Sequence, residues 1–270
     1  MMADAQGAPG GGAVPMAGAT DLLVHWPQRA AEQERTYIDL SGLDGLRRID
    51  WSAGELRLGA MATYWQTLHD ERVMSEFPLL SAAARQVGAV QIQSRGTWAG
   101  NVANGSPAAD GVPVLMACDA SIRLVSAAGE RAVALDAFYT GYRTSVRRAD
   151  ELIAGITIPR VARDLHVFEK VGPRRAQAIT KVGLTVARLA GAAKPWRIVA
   201  GSVAPTVRRC PAIEALLERG GPVRSPGDFL PAVNADVSPI DDIRSTADYR
   251  RTVLCRLLYH SLKGKCDSVN

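Results

Sequence analysis

The stretch that decides the fold of this chain is Gln91–Asp110, QIQSRGTWAGNVANGSPAAD. Small, amide and hydroxyl side chains are concentrated in it. Such a run lets backbone N–H groups approach a ligand closely, and a diphosphate is favoured where these groups and a positive helix end meet. We therefore expect a phosphate-binding loop here, followed by a helix that starts at Ser106-Pro107 and runs towards Met116.

Asp110 closes this stretch and falls in the first turn of the expected helix. A carboxylate at this place complements the positive end of the helix dipole, which is a purely structural role. It can equally contact a ligand bound at the loop. Sequence chemistry weighs the two roles equally, so both stay open for Asp110.

A second loop of small residues lies upstream in Pro15–Asp21, PMAGATD, and apolar Leu22 and Leu23 follow it. Consecutive amides of small residues can form an anion-binding nest, to which Thr20 would add a hydroxyl donor. An Ala-Gly turn before a helix is also common without any ligand. This loop alone therefore does not establish a binding site.

The composition limits the class of protein. The chain has 270 residues, of which 47% are hydrophobic, enough for one large domain or two modest ones. The formal net charge is +5, but the Lys and Arg residues are scattered singly or in pairs. Aromatic residues are not interleaved with them as they are in single-strand-binding surfaces. Nucleic acid is therefore not expected as a partner.

The cysteines and the apolar runs indicate where the protein works. There are four cysteines, at Cys118, Cys210, Cys255 and Cys266. Their spacing is too wide for a structural zinc or an iron–sulfur cluster, and we interpret them as idle thiols in a reducing cytosol. No run approaches the about 18 uninterrupted apolar residues of a membrane span. We therefore expect a cytoplasmic protein.

Helix and strand patterns are mixed along the whole chain, which predicts an α+β fold. A hydroxyl N-cap at Thr63 and a first-turn proline at Pro78 mark two helices. Pro159 ends a strand-like run and a polar stretch follows it, so we place a domain boundary there. The expected divisions are a disordered tail at 1–13, a nucleotide-sized domain at 14–160 and a C-terminal domain at 161–265.

Beyond this boundary, long strand-like segments with Gly-containing turns between them predict an antiparallel meander. They are Leu165–Val171, Ile179–Leu189 and Trp196–Val203. Helices follow, and the last of them has apolar residues at helical spacing. They are Pro211–Arg219, Ser225–Val233 and Thr246–Leu262.

Several stretches resemble one family of flavoproteins. Residues 91–110 resemble the flavin-loop signature of the FAD subunits of molybdenum hydroxylases, the family of xanthine dehydrogenase and aerobic carbon monoxide dehydrogenase. Ala17–Leu23 resembles the family's first pyrophosphate loop. Phe168–Arg175 resembles its segment beside the flavin ring, and Ser202–Thr206 is similar to another recurring piece. The likeness covers nearly everything from residue 14 to about residue 262.

The resemblance implies an FAD-binding domain of the vanillyl-alcohol-oxidase (PCMH) type over 14–160, followed by an antiparallel sheet with helices over 161–265. It implies that the two loops hold the pyrophosphate and that Asp110 contacts the sugar-alcohol chain. Lys170 would lie near the isoalloxazine, with Arg174 beside the flavin or an incoming acceptor. The cofactor-binding residues that the resemblance implies are Pro15, Met16, Ala17, Gly18, Ala19, Thr20, Asp21, Leu22, Val87, Thr97, Trp98, Ala99, Gly100, Asn101, Ser106, Asp110, Ile153 and Lys170.

The resemblance further implies an electron-transfer subunit that works with two partner subunits. A large subunit would carry the molybdenum cofactor and hydroxylate an organic substrate, and a small subunit would carry 2Fe–2S clusters. Electrons would pass from these clusters to non-covalent FAD on this chain, and then to NAD or another acceptor. Two other interpretations stay open, namely a self-sufficient flavoprotein oxidoreductase of the same superfamily and a scaffold subunit without flavin.

Some positions depart from the family pattern. The loops have Gly18-Ala19 and Ala99-Gly100 where two adjacent glycines are usual. Each extra methyl is compatible with its loop where φ is negative and crowds the backbone otherwise. Gln177 stands where relatives of xanthine dehydrogenase often carry an acidic residue, which leaves the acceptor open. Family members also begin with a further strand and helix, so either the start is shortened here or a piece of the domain is missing.

Overall fold

The computed structural model describes residues 13–24, 36–266 and 268–269. Apart from Ala13, the tail predicted at 1–13 lies outside the described residues. The chain divides into two compact units. One consists of Met1–Ser106 with Asp119–Arg160, and the other of Pro107–Cys118 with Val161–Asn270.

The first unit is built on a five-stranded antiparallel sheet. Its strands, in the order β3-β4-β9-β5-β6, are β3 Ile49–Trp51, β4 Glu55–Gly59, β9 Leu152–Pro159, β5 Ser121–Ser126 and β6 Gly129–Ala134. Two small sheets accompany it, the parallel pair β1 Val14–Met16 with β2 Tyr37–Asp39 and the antiparallel pair β7 Tyr139–Gly141 with β8 Thr144–Ser145. Leu56, Ile122, Ile156 and Ile158 of the large sheet are at most 1% exposed, so the sheet forms part of this unit's core.

Short helices connect the strands of the first unit. They are α1 Tyr64–Leu68, α2 Glu71–Glu76, α3 Pro78–Ala84, α4 Val90–Gln93 and α5 Trp98–Asn104. Thr63 forms a capping box with Gln66, and Pro78 stands in the first turn of α3. Both predicted helix starts are therefore confirmed.

The second unit has an antiparallel meander with helices, as predicted. The strands are β10 Arg163–Val171, β11 Val182–Leu189, β12 Trp196–Gly201 and β13 Arg208–Arg209. The helices are α6 Gly111–Ala117, α7 Pro211–Glu218, α8 Leu230–Asp236 and α9 Ala247–Leu262. Alternate residues of β11, among them Val182 and Leu184, join α7, α8 and α9 in one apolar core.

Helix α6 belongs to the second unit, whereas the prediction included it in the domain at 14–160. Every residue of this helix is buried, and it packs on strands β11 and β12. A helix that is apolar all round must be covered by other elements, and this sheet supplies the cover. The sequence gives no indication that this helix belongs to a different unit from the segments on either side of it.

Helix α6 also starts later than predicted, at Gly111 and not at Ser106-Pro107. The reason is that a separate helix, α5, forms inside the stretch predicted as a loop. Trp98 and Val102 are four residues apart and fully buried, so they anchor one helical face. Gly105 then ends α5 with φ +59, a left-handed conformation that glycine adopts without strain.

Within the described ranges, none of the helices combines the length and the apolar character needed to cross a bilayer.

Candidate functional site

The two glycine-containing loops lie in backbone contact within the first unit. Gly18 follows strand β1, and a Cβ built on it would lie 1.9 Å from the carbonyl oxygen of Arg95 and 3.2 Å from Cα of Gly96. Only glycine permits this approach, because any side chain would overlap the backbone of the second loop. The structure therefore joins two segments that are far apart in sequence into one cradle of main chain.

The first loop passes directly into helical backbone. Residues 20–24 are helical, and the N–H of Leu23 donates to the carbonyl of Ala19 at 3.0 Å. Leu22 is 1% exposed and packs against Ala19, with Met16 beside them. The flanking strand pair and this apolar contact together hold the loop in place.

Asp21 supplies a test of whether this loop suits a dinucleotide. Its Oδ2 atom is buried and has no hydrogen-bond partner among the described residues. A buried acceptor without a partner is costly, and a sugar hydroxyl is a donor that would satisfy it. A phosphate would be repelled at the same place. The chemistry of Asp21 therefore fits the hydroxyl-bearing part of FAD better than its pyrophosphate.

The second loop is organised by the N-terminus of α5. Thr97 is its N-cap, and its Oγ1 accepts the N–H of Gly100 at 2.9 Å. The N–H of Trp98 donates to Ala62 at 3.2 Å, and that of Asn101 donates to Thr97 at 3.1 Å. We expected these N–H groups to bind a phosphate. In the structure they donate to acceptors within the protein instead.

The two alanines that replace family glycines differ in backbone conformation. Ala19 has φ +58, which is left-handed, whereas Ala99 lies within α5. A methyl group is strained in the first conformation and favourable in the second. Alanine in place of the family glycine therefore causes no backbone strain at position 99, whereas it does cause strain at position 19.

Replacing Ala19 by glycine is expected to stabilise the chain by about 0.5–1 kcal/mol, because the left-handed strain is removed at some cost in unfolded-state entropy. The matched variant Ala99→Gly should destabilise it by about 0.5–1 kcal/mol, since glycine weakens a helix interior. Thermal unfolding of both variants beside the parent checks this. A lower midpoint for Ala19→Gly would show that the contact of the Ala19 methyl group with Leu22 stabilises the chain by more than the left-handed backbone costs.

A polar cluster in the second unit is built around Asp110. Its Oδ2 lies 2.6 Å from Nζ of Lys170, and its Oδ1 accepts the hydroxyl of Thr180 at 2.7 Å. The side chains of Lys170 and Asp110 are only 6% and 14% exposed. Asp110 stands at the N-cap position of α6, yet its carboxylate makes no capping bond. The carboxylate of Asp110 therefore pairs with a distant strand instead of capping the N–H groups of α6, and its charge still lies at the positive end of this helix.

Burial raises the pKa of Asp110 above its usual range, while the charge of Lys170 and the hydrogen bonds from Lys170 and Thr180 oppose that rise. The cluster borders a small cleft within the second unit, lined also by Phe168, Gly183 and Thr185. A buried ion pair beside an open cleft can present a fixed charge to a bound molecule.

The remaining predicted residues occupy ordinary structural positions. Ile153 and Trp98 are 0% exposed in the core of the first unit, and Nε1 of Trp98 donates to Thr67 at 3.2 Å. Val87 lies half-buried in the turn after α3, and Ser106 is half-buried beyond the end of α5. Their predicted contacts with FAD stay predictions.

Arg174 and Gln177 lie in an exposed turn between β10 and β11. Nε of Arg174 donates to the carbonyl of Ala176 at 3.0 Å, and its Nη2 donates to that of Gln177 at 2.9 Å. Gln177 itself has φ +52. The guanidinium predicted to meet the flavin or an acceptor thus braces its own turn in this structure.

Three polar residues of interest escaped the sequence reasoning. Asn104 has a buried Oδ1 without a partner in the described part of the chain, and its place in the glycine-rich run of residues 91–110 marks it as a polar residue near the expected loop. The hydroxyl of Thr185 is likewise buried and unpartnered there. Thr180 and Thr185 carry no local signal, because only the packing of α6 on strand β11 brings them near Asp110.

Groups of three or more side chains suited to hold a metal ion are not found in the residues that the structure describes.

Comparison with known protein families identifies the class of this chain. Residues 2–161 match the FAD binding domain in molybdopterin dehydrogenase, and residues 168–264 match the CO dehydrogenase flavoprotein C-terminal domain. The chain therefore belongs to the FAD-binding subunits of the molybdopterin dehydrogenases and is a component of an oxidoreductase. The resemblance and the fold class predicted from the sequence are both confirmed.

Individual relatives show the same relationship over nearly the whole chain. The nicotine 6-hydroxylase medium subunit of Paenarthrobacter nicotinovorans is 28% identical over 92% of this chain and 87% of its own length. The carbon monoxide dehydrogenase medium chain of Hydrogenophaga pseudoflava is 27% identical, with 92% and 88% covered. A solved structure of carbon monoxide dehydrogenase from that organism, which lacks the Mo-pyranopterin moiety, superposes with a TM-score of 0.82 at 25% identity, covering 95% of this chain and 89% of that chain.

Proposed function

We propose that this chain binds FAD non-covalently and relays electrons from the 2Fe–2S clusters of a small partner subunit to NAD or another acceptor. A large partner subunit would carry the molybdenum cofactor and the hydroxylation site. The relatives are medium subunits and chains of dehydrogenases and hydroxylases, which supports an assembly of this kind. When bound, the flavin supplies the redox chemistry, and the protein supplies position and electrostatics.

The observation that carries this proposal is the cradle formed by Gly18 against Arg95-Gly96. A side chain at position 18 would overlap the carbonyl of Arg95, so the two loops keep this close approach only with glycine. Thr20 adds a hydroxyl next to the cradle, and Asp21 offers an acceptor for a sugar hydroxyl. The acceptor on Asp21 fits a sugar hydroxyl of a dinucleotide.

We further propose that the polar cluster around Asp110 in the second unit presents a positive charge to a bound flavin. The ammonium of Lys170 would stabilise negative charge on a reduced isoalloxazine, and Asp110 holds that ammonium in place at 2.6 Å. Asp110 keeps hydrogen-bonding capacity for the sugar-alcohol chain of FAD. No Cys or His lies in either loop, so a covalent flavin link there has no nucleophile.

The test is to purify the full chain, release its cofactor by denaturation and identify it. We expect one FAD per chain, complete release into the supernatant, and reduction of an artificial dye by NADH. We expect no oxidation of purines or aldehydes until the large and small subunits are added. The chain alone should show this partial activity, because a flavin exchanges electrons without a metal centre.

Each alternative predicts a different result of the same experiment. Release of FMN, or a colourless protein that FAD cannot reconstitute, contradicts the proposal and favours a scaffold without flavin. Flavin reduction by an organic substrate in the lone chain contradicts it in favour of a self-sufficient oxidoreductase. A flavin reduced by other donors and not by NADH would remove NAD as the acceptor only.

A further inference from the structure

Ser202, directly after strand β12, has a left-handed backbone with φ +61. A residue other than glycine keeps such a conformation only where the surrounding structure holds it, and residues of this kind are concentrated at functional sites. Ser202 is 4% exposed, so protein groups and not solvent surround it.

All three polar groups of Ser202 have partners in the second unit. Its N–H donates to the carbonyl of Pro107 at 2.7 Å, and its hydroxyl donates to the carbonyl of Thr180 at 2.8 Å. Its own carbonyl accepts Nη1 of Arg250 at 2.5 Å. Pro107 begins the segment that carries Asp110, and Thr180 donates to Asp110. Ser202 thus connects both sides of the polar cluster.

The burial of the charged Arg250 side chain, on helix α9, is energetically unfavourable. It is 5% exposed, and it reaches Asp242 with Nη2 at 2.6 Å. Its Nε is buried without a partner among the described residues. Apolar side chains of similar volume often replace a buried ion pair without loss of stability. Stability alone therefore does not account for a guanidinium at position 250. A role in fixing the position of the Ser202 carbonyl does.

We propose that Arg250 is a positioning residue for the flavin site, acting through Ser202. Arg250 holds the carbonyl of Ser202, and Ser202 holds Pro107 and Thr180. Thr180 and the segment after Pro107 then set the orientation of the Asp110 carboxylate, which places the Lys170 ammonium. The inference rests on the proposed function, since the ammonium is taken to face FAD.

The consequence is electrostatic. A positive charge near the ring favours the reduced flavin, which carries more negative charge, and this effect weakens as the charge moves away. Loss of the Arg250 contact would let the ammonium of Lys170 shift. The midpoint potential of the bound flavin should then fall, in the same direction as in Lys170→Met.

The experiment measures the flavin midpoint potential and the FAD affinity of the full, FAD-loaded chain. Arg250→Met should lower the potential by at least half of the shift that Lys170→Met produces. The matched control is Arg251→Met, on the same helix, whose partner Asp248 lies at 3.3 Å with a side chain that is 97% exposed. We expect the control to keep the parent potential.

A double variant separates positioning from general loss of stability. In the Lys170→Met background, Arg250→Met should add no further shift in potential, although it should still lower the thermal midpoint. A merely structural role would leave the potential of Arg250→Met unchanged, or would give shifts that add in the double variant.

Ser202→Gly keeps the test decisive if Arg250→Met does not fold. Glycine accepts φ +61 without strain, so this variant should fold and bind FAD, but it loses the hydroxyl that holds Thr180. We expect a smaller fall in potential of the same sign. A parent potential in Ser202→Gly and in every folded Arg250→Met sample overturns the inference. Absence of FAD from the parent chain would instead refute the proposed function.

Discussion

Gly18→Ala is expected to remove most of the FAD from the purified chain. The new Cβ would lie 1.9 Å from the carbonyl oxygen of Arg95, far inside van der Waals contact, so one of the two loops must move. We expect FAD affinity to fall by more than about tenfold, equivalent to about 1.4 kcal/mol. The overlap should also lower the stability of the first unit by about 1–3 kcal/mol. Flavin content after desalting and the thermal midpoint measure the two effects.

The matched control for this experiment is Gly45→Ala. A Cβ on Gly45 would meet no atom within 4 Å, so the same chemical change costs nothing in contacts there. Full flavin content and a midpoint no lower than that of the parent are expected for this control. Equal flavin content in Gly18→Ala and in the control would remove the loop contact from the FAD site.

Lys170→Met is expected to destabilise the second unit by about 3–5 kcal/mol near pH 8, because it leaves the buried carboxylate of Asp110 without its counter-ion. Thr180 alone then satisfies that carboxylate at 2.7 Å. The loss should be much smaller near pH 5. Urea unfolding of the FAD-free chain across this pH range, followed by circular dichroism, measures it.

The direction of this pH dependence comes from Asp110. Burial already raises the pKa of its carboxyl, and removing Lys170 removes the charge that opposes the rise. A group whose pKa is higher in the folded state favours folding when it is protonated. That contribution is present below the unfolded pKa and is lost as the pH rises through the folded pKa. The deficit of the variant should therefore grow with rising pH.

The double variant Asp110→Asn with Lys170→Met is the control, because it has no carboxylate at this place to titrate. Its stability relative to the parent should vary little with pH. A deficit in Lys170→Met that is equally large at pH 5 and pH 8 would show that Asp110 is not the titrating group.

Much of the local structure could be predicted because it depends on neighbours in sequence. The capping box at Thr63 and the first-turn proline at Pro78 are satisfied within one helical turn. The meander of β10, β11 and β12 follows from apolar segments separated by short turns. The helix inside the predicted phosphate loop was missed, because a glycine-rich stretch masked the spacing of Trp98 and Val102.

The sequence by itself determined the class of protein and the chemistry of its loops, since a contiguous signature at residues 91–110 and small residues around Gly18 are visible without coordinates. Only the tertiary structure decided that Gly18 touches Arg95, that Ala19 is left-handed, and that Asp110 pairs with Lys170. The physical reason is the distance along the sequence over which each interaction acts. Propensities, caps and motifs act over a few residues, whereas a backbone contact, a positive φ and a buried ion pair depend on which distant segments the apolar cores bring together.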